Sequence, residues 1–228
     1  KSSFMLKKCD IRLLPNPIDT EIFKPSAENE LDISRSNLNI NKDCFVFVFA
    51  ACTKKNNKLK GINILFTALH LLQSKKLNIP ISKIVIIDFG FSNKEIQLHD
   101  YRHISIGHVH DSEDLAKIYS IADCVIVPSM FESFGQVSAE AISCRTPVVC
   151  FDTSGLKDII IDNYNGLIAK KMSAIALCDE LQKIINLPEK SRLEMGMNGR
   201  KHVLENFSHT IITKKYLNIL KDAAALKN

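Results

Sequence analysis

A chain of 228 residues, 46% hydrophobic and 24% charged, carries enough apolar material for one substantial core, which excludes intrinsic disorder. A net charge of +5, 7% aromatic residues, no tryptophan and no recognisable reading module exclude a nucleic-acid binder. The longest wholly apolar stretch, Cys44 to Cys52, is far shorter than the roughly 18–20 residues of a spanning helix, and Lys1-Ser2-Ser3 does not read as a signal peptide. The cysteine count is seven, and Cys44, Cys52, Cys124, Cys150 and Cys178 sit in apolar or helical surroundings without a CxxC pair. They read as reduced structural thiols of a cytoplasmic protein.

Residues 1–43 are polar and proline-punctuated, with Pro15-Asn16-Pro17 marking a turn, and read as a linker ahead of the domain at 44–228. From Cys44 onward, short apolar runs alternate with helical patterns. Strands are predicted near 45–51, 84–89, 104–107, 125–128 and 147–151, and helices near 62–72, 112–122 and 136–143. Such alternation predicts an α/β fold with a doubly wound, Rossmann-like parallel sheet. Phe45-Val46-Phe47-Val48-Phe49 has no polar alternation, as a strand buried on both faces requires. After Gly166-Leu167-Ile168 the chain turns helical to about residue 227, broken at Leu187-Pro188 and at Asn206-Phe207-Ser208, where Ser208 is placed to cap the last helix.

Two acids, Glu132 and Glu140, flank the turn Ser133-Phe134-Gly135-Gln136 between the apolar run 124–129 and the helix beginning at Val137. In open α/β sheets ligands bind at the carboxyl ends of strands. A helix N-terminus there suits a phosphate, and ionised carboxylates suit sugar hydroxyls, so the arrangement fits a nucleotide sugar. Read from these residues alone, a capped helix with solvated carboxylates is the alternative. Lys54, Lys55, Lys58 and Lys60 share one short loop without an acid and suit phosphates. Lys190, Arg192, Arg200, Lys201, Lys214 and Lys215 decorate later helices and fit an anionic membrane surface.

The string Val127-Pro128-Ser129-Met130-Phe131-Glu132-Ser133-Phe134-Gly135, continued from Glu140 to Val149, resembles the donor-binding segment of family-four retaining glycosyltransferases. Pro15 to Asp19, Lys60-Gly61, Ile106-Gly107-His108-Val109, Ser154 to Asp158 and Asn165-Gly166-Leu167 match further family segments in the same order, so the resemblance spans nearly the whole chain. It implies the C-terminal, donor-binding domain of a two-domain GT-B enzyme, with an acceptor-binding domain that precedes this one. The implied reaction transfers a hexose, with retention, from a UDP- or GDP-linked donor to a glycan or lipid-linked acceptor, without a cofactor. The implied setting is the cytoplasm, in peripheral contact with the inner face of the plasma membrane, in surface-polysaccharide assembly.

The resemblance also assigns residues. Lys60 and Lys54 would grip the diphosphate, where fixed cations meet the charge that grows on the leaving group. Lys54 stands where the family usually has arginine, and lysine lacks the bidentate fork. Glu140 would accept the ribose hydroxyls. Glu132, Ser133 and the N–H groups around Phe134, Gly135, Gln136 and Val137 would hold the sugar and its phosphates, with Glu132 and Lys60 closest to the chemistry. The backbone of Gly107, His108 and Val109 would carry the nucleobase.

No metal is called for. His108 and His110 lack a third ligand, and Asp-x-Asp, the carboxylate pair that holds a divalent ion on a sugar diphosphate, does not occur in the chain. Asp111, Ser112 and Asp114 read as helix-capping residues. Arg145 and Ser154 depart from frequent family glycines. A nucleotide-sugar epimerase, a phosphorylase and a non-catalytic binder of nucleotide sugar or glycan are the other readings. The family string from Pro128 and the lack of a pyridoxal-phosphate lysine motif argue against the first two.

Overall fold

The computed structural model describes residues 11–50, 58–90, 98 and 100–225, the side chains of Lys58 and Ser154 aside. Six strands are present among them: β1 (Phe45–Ala50), β2 (Ile84–Phe89), β3 (Arg102–Gly107), β4 (Cys124–Val127), β5 (Val148–Phe151) and β6 (Gly166–Ala169). The helices are α1 (Glu28–Asn37), α2 (Ile62–Leu72), α3 (Ser112–Ile121), α4 (Gln136–Ser143), α5 (Ala174–Asn186), α6 (Glu189–Asn206) and α7 (His209–Ala225).

The strands pair in parallel in the order β3-β2-β1-β4-β5-β6. Strand order therefore reverses between β1 and β4, and the helices that follow them, α2 and α4, lie on opposite faces of the sheet, the arrangement that opens a ligand crevice at the strand ends. Each face of β1 serves a different core. Phe45, Phe47 and Phe49 pack with Leu65, Leu69 and Leu181 on the α2 and α5 side, while Val46 and Val48 meet Tyr119 and Ile142 on the α3 and α4 side. That double burial is why the run showed no alternation.

Two elements escaped the sequence reading. Helix α1 buries no side chain, so its sequence carries no apolar stripe for periodicity to detect. Leu31 packs only partly against the core, and polar contacts add to the hold on the helix: the guanidinium of Arg35 donates to Ile121 O at 2.8 Å, Cys44 O at 3.2 Å and Asp123 Oδ2 at 2.9 Å. Strand β6 is only four residues long and lies at the sheet edge, after a turn in which Asn163 has φ 61°. The Asn165-Gly166 pair explains itself here. Buried Asn165 bridges Ile159 O and Ile161 N, and a Cβ on Gly166 would run into Val148 O.

The segment before β1 is tied into the domain. Ile18 is fully buried and its N–H donates to Phe207 O at 2.8 Å, with Phe23 and Ile40 also in the core. Arg200 of α6 donates to Thr20 O, Phe23 O and the Ser143 carbonyl and hydroxyl. Arg192 bonds Leu187 O and lies over the Phe45 ring at 5.1 Å. These two cations thus belong to internal contacts, correcting their assignment to a membrane-facing set: both sit on helix faces turned inward. Ser208 likewise turns its hydroxyl back to Leu204 O at 2.9 Å. Among the described residues, no helix is long and apolar enough to cross a membrane.

Helix α4, which carries the motif acid Glu140, is fixed at its far end. Thr146 N donates to Ala141 O at 3.0 Å and Arg145 N to Ile142 O at 3.1 Å, a Schellman cap with Arg145 in the left-handed position at φ 64°. Glycine normally occupies that position, so Arg145 adopts a conformation that its Cβ disfavours. Helix α6 crosses directly over it: a Cβ on Gly196 would strike Arg145 O, and one on Gly199 would crowd Ile142.

Candidate functional site

Lys60 ends a short 3-10 turn, Lys58–Lys60, after β1, and Gly61 opens α2 with φ 64°. A Cβ at Gly61 would collide with the carbonyl of Pro128 at the end of β4. The positive φ and the close approach both demand glycine, and together they draw the Lys60 backbone against the β4 loop. Met130 N donates to Leu59 O at 2.7 Å and completes that join.

The β4 loop is clasped from its other side by the 3-10 segment Ser154–Asp158. Gly155 N donates to Glu132 O at 3.0 Å, and any Cβ at Gly155 would press on the backbone of residues 132–134. Thr153 Oγ1 donates to Met130 O at 3.1 Å. Glu132 is therefore held on a loop fixed at both flanks, and its Oε1 accepts from Lys60 Nζ at 2.5 Å. Gly135, at φ 99°, is the N-cap of α4 and offers no side-chain cap. The first N–H groups of that helix have no intrahelical acceptor, which leaves donors and a positive dipole end at the same place.

Lys60, Glu132, Gly135 and Val137 line one cleft of about 90 Å³, with Ala50 and residues 126–129 as its floor. It lies at the ends of β1 and β4, where the strand order reverses. Ser133 and Gln136 are exposed beside it, while Phe134 turns its ring onto Phe207 at 5.6 Å, so only its backbone can serve a ligand. Lys54 lies outside the described residues.

Glu140 is set apart from that cleft, one helical turn beyond Gln136 and 8% exposed. Its Oε2 accepts from Tyr119 Oη and its Oε1 from Gln136 Nε2, each at 3.0 Å. Burial raises its pKa above the ordinary carboxylate value, opposed by these two donors. Tyr119 was not singled out from sequence. It stands 21 residues from Glu140 in an ordinary amphipathic helix, and no local spacing signals the contact.

Gly107 ends β3, and His108 and Val109 follow it. Gly107 has φ 78°, its carbonyl accepts from Gly90 N at 2.7 Å, and nothing lies within 4 Å of where its Cβ would be. His108 and Val109 line a different cavity, of about 530 Å³, between α1 and α3. The rings of His108 and His110 stack at 5.6 Å. Asp111 caps α3, accepting from Glu113 N at 2.7 Å, and Asp114 pairs with Lys117 at 2.8 Å. The structure thus groups Lys60, Glu132, Gly135 and Val137 and keeps the His108 loop and Glu140 in separate settings.

Residues 32–202 match the family described as Glycosyl transferases group 1. The capsular polysaccharide biosynthesis glycosyltransferase CapM of Staphylococcus aureus is 29% identical over 177 residues, covering 73% of this chain and 45% of CapM. The chain spans about half the length of the curated relatives it matches. Among solved structures, Anabaena Alr3699/HepE in complex with UDP-glucose aligns with a TM-score of 0.74 at 20% identity, over 92% of this chain and 57% of that one. The C-terminal domain of the Francisella tularensis glycosyl transferase LpcC aligns with a TM-score of 0.66 at 22% identity, over 84% of this chain and 99% of that domain. Since the family match runs through three quarters of the sequence and a lone C-terminal domain is overlaid almost from end to end, the chain belongs to the group 1 glycosyl transferases and has the fold of a GT-B C-terminal domain.

Proposed function

We propose that this chain binds the nucleoside-diphosphate end of a UDP- or GDP-linked hexose, and that the protein to which it belongs transfers the hexose with retention to a glycan or lipid-linked acceptor. The observation that carries the reading is the meeting, in one cleft at the reversal of the sheet, of the Lys60 ammonium, the Glu132 carboxylate and the uncapped N-terminus of α4. The UDP-glucose complex of the Anabaena structure supports a UDP-linked donor.

In this reading Lys60 and the N–H groups of Gln136 and Val137 hold the diphosphate. They lie in place before the reaction, so they stabilise charge building on the departing phosphate with little rearrangement. Glu132 accepts hydroxyls of the hexose, and Glu140 those of the ribose. The nucleobase approaches the backbone at Gly107-His108-Val109, where the absent Cβ leaves room. Acceptor contacts belong to a preceding domain. Closure of two domains aligns donor and acceptor and excludes water, so this chain alone binds donor without transfer.

Calorimetric titration of the chain with UDP and with GDP, each with magnesium and with a chelator, tests the reading. Binding that persists in chelator is expected. Binding that requires magnesium would overturn the assignment of Lys60 and the α4 N-terminus as the diphosphate site.

A further inference from the structure

Tyr119 is fully buried, 6.3 Å from the Phe23 ring and 5.8 Å from Phe89, whose plane is nearly perpendicular to its own. Its backbone carbonyl is held by the Thr146 hydroxyl at 2.6 Å. A phenylalanine ring would fill the same slot, so packing accounts for the ring and leaves the hydroxyl unexplained. That hydroxyl donates to Glu140 Oε2 across 21 residues, from α3 to α4.

We infer that Tyr119 is a positioning residue for nucleotide recognition: its hydroxyl fixes the buried Glu140 carboxylate in the orientation that receives the two ribose hydroxyls. The inference rests on the reading of Glu140 as the ribose acceptor. An ionised carboxylate has roughly four acceptor sites. Tyr119 uses one on Oε2 and Gln136 one on Oε1, which leaves capacity on each oxygen for one hydroxyl of a vicinal diol. Gln136 comes from the preceding turn of the same helix and its side chain is exposed, so it cannot fix the carboxylate against the rest of the domain. Tyr119 can, because α3 is itself packed on the sheet.

The charge state of the neighbourhood favours this role. Burial and the Glu140 charge hold the Tyr119 phenol well above its usual value, so it remains a donor. On α4, burial pushes the Cys144 thiol up to about 12, so it stays neutral. On α6, Arg200 is bonded to Ser143 and supplies a fixed cation beyond Cys144. Glu140 itself is raised by burial and held down by its two donors, so removal of the Tyr119 hydroxyl moves its protonation to higher pH.

The test measures UDP and 2′-deoxy-UDP affinities of this chain by calorimetry as a function of pH on the acid side of neutrality, for the unaltered chain, Tyr119→Phe and Glu140→Gln. The unaltered chain is expected to favour UDP about tenfold or more. Tyr119→Phe should lose UDP affinity by about three- to tenfold, with 2′-deoxy-UDP, which keeps one of the two hydroxyls, losing less, and its UDP binding should begin to weaken at higher pH as the solution is acidified. Because a substituted core residue can fail to fold, 3-fluorotyrosine at position 119 supplies the opposite sign: a stronger donor, with the onset moved to lower pH. Equal loss for both ligands in Tyr119→Phe, or an unmoved pH onset in both variants, would overturn the inference. If Glu140→Gln abolishes the preference for UDP while Tyr119→Phe retains it, the inference fails and the ribose reading stands. If Glu140→Gln leaves the preference intact, the ribose reading itself fails.

Discussion

The two motif glutamates lie on the same loop and helix yet occupy opposite physical settings. Glu132 faces the cleft and is paired with a cation, Lys60; Glu140 is buried and satisfied by two neutral donors, Tyr119 and Gln136. A cation held at a partly exposed position exchanges partners readily, since such a pair contributes only about 0.2–1 kcal/mol. A buried carboxylate bound by neutral groups does not exchange without loss, because an unsatisfied buried acceptor costs about 1–3 kcal/mol. The Glu132–Lys60 pair is thus suited to exchange and the Glu140 contacts to persist.

The largest expected effect breaks the Glu132 side at its backbone. Gly61→Ala combines a left-handed φ with a collision at Pro128 O, and should destabilise the chain by about 2–4 kcal/mol, read as a fall in denaturation midpoint. An unchanged midpoint would show that the approach of α2 to the β4 loop is not constraining. Next comes the cation itself. Lys60→Ala should weaken UDP by about 1.5–3 kcal/mol, roughly ten- to 150-fold by titration, the range for a hydrogen bond to a charged group. A loss below threefold would leave Lys60 a solvated lysine.

The Glu140 side is sharpened by pH. Its folded pKa is raised, so between the ordinary carboxylate value and the folded one the native chain binds more protons than the unfolded chain. Stability therefore falls as pH rises through that window, and Glu140→Gln should raise the thermal midpoint at neutral pH and remove that part of the slope. A variant less stable than the parent at neutral pH would contradict this balance. Smaller still, Arg145→Gly should stabilise the chain by about 1 kcal/mol, since its residue is left-handed, exposed and not part of either acid's contacts. The smallest effect is at the exchanging acid: Glu132→Gln should tighten free UDP by about threefold, a fraction of a kcal/mol, by freeing Lys60, while weakening UDP-glucose. Free UDP weakened by the same factor as UDP-glucose would refute the division of labour.

Much of this could be read before the structure. The Phe-Val alternation of 45–49 announced a strand with two buried faces, and Lys60-Gly61 and Glu132 to Gly135 announced a loop and a helix start, because those features are written in neighbouring residues. What could not be read is made by distant ones. Helix α1 buries no side chain fully, and Arg35 reaches Ile121, Cys44 and Asp123 to help hold it. Arg192 and Arg200 read as surface cations because their carbonyl acceptors carry no side-chain signature. The Tyr119 contact joins two helices that are each unremarkable alone, and the separate cavity at His108 exists only because α1 is there to wall it.

The contact between α4 and α6 has a mechanical consequence. At Gly196 the backbone of α6 rests on the carbonyl of Arg145 with no side chain between them, so there is no deformable layer to absorb displacement. Helix α4 has the donors of Gln136 and Val137 at one end and this seat at the other, and a short helix moves as a stiff rod. A load on α6 would therefore reach α4 directly and tilt the N–H groups at its other end, so a helix outside the cleft would set the aim of the donors inside it.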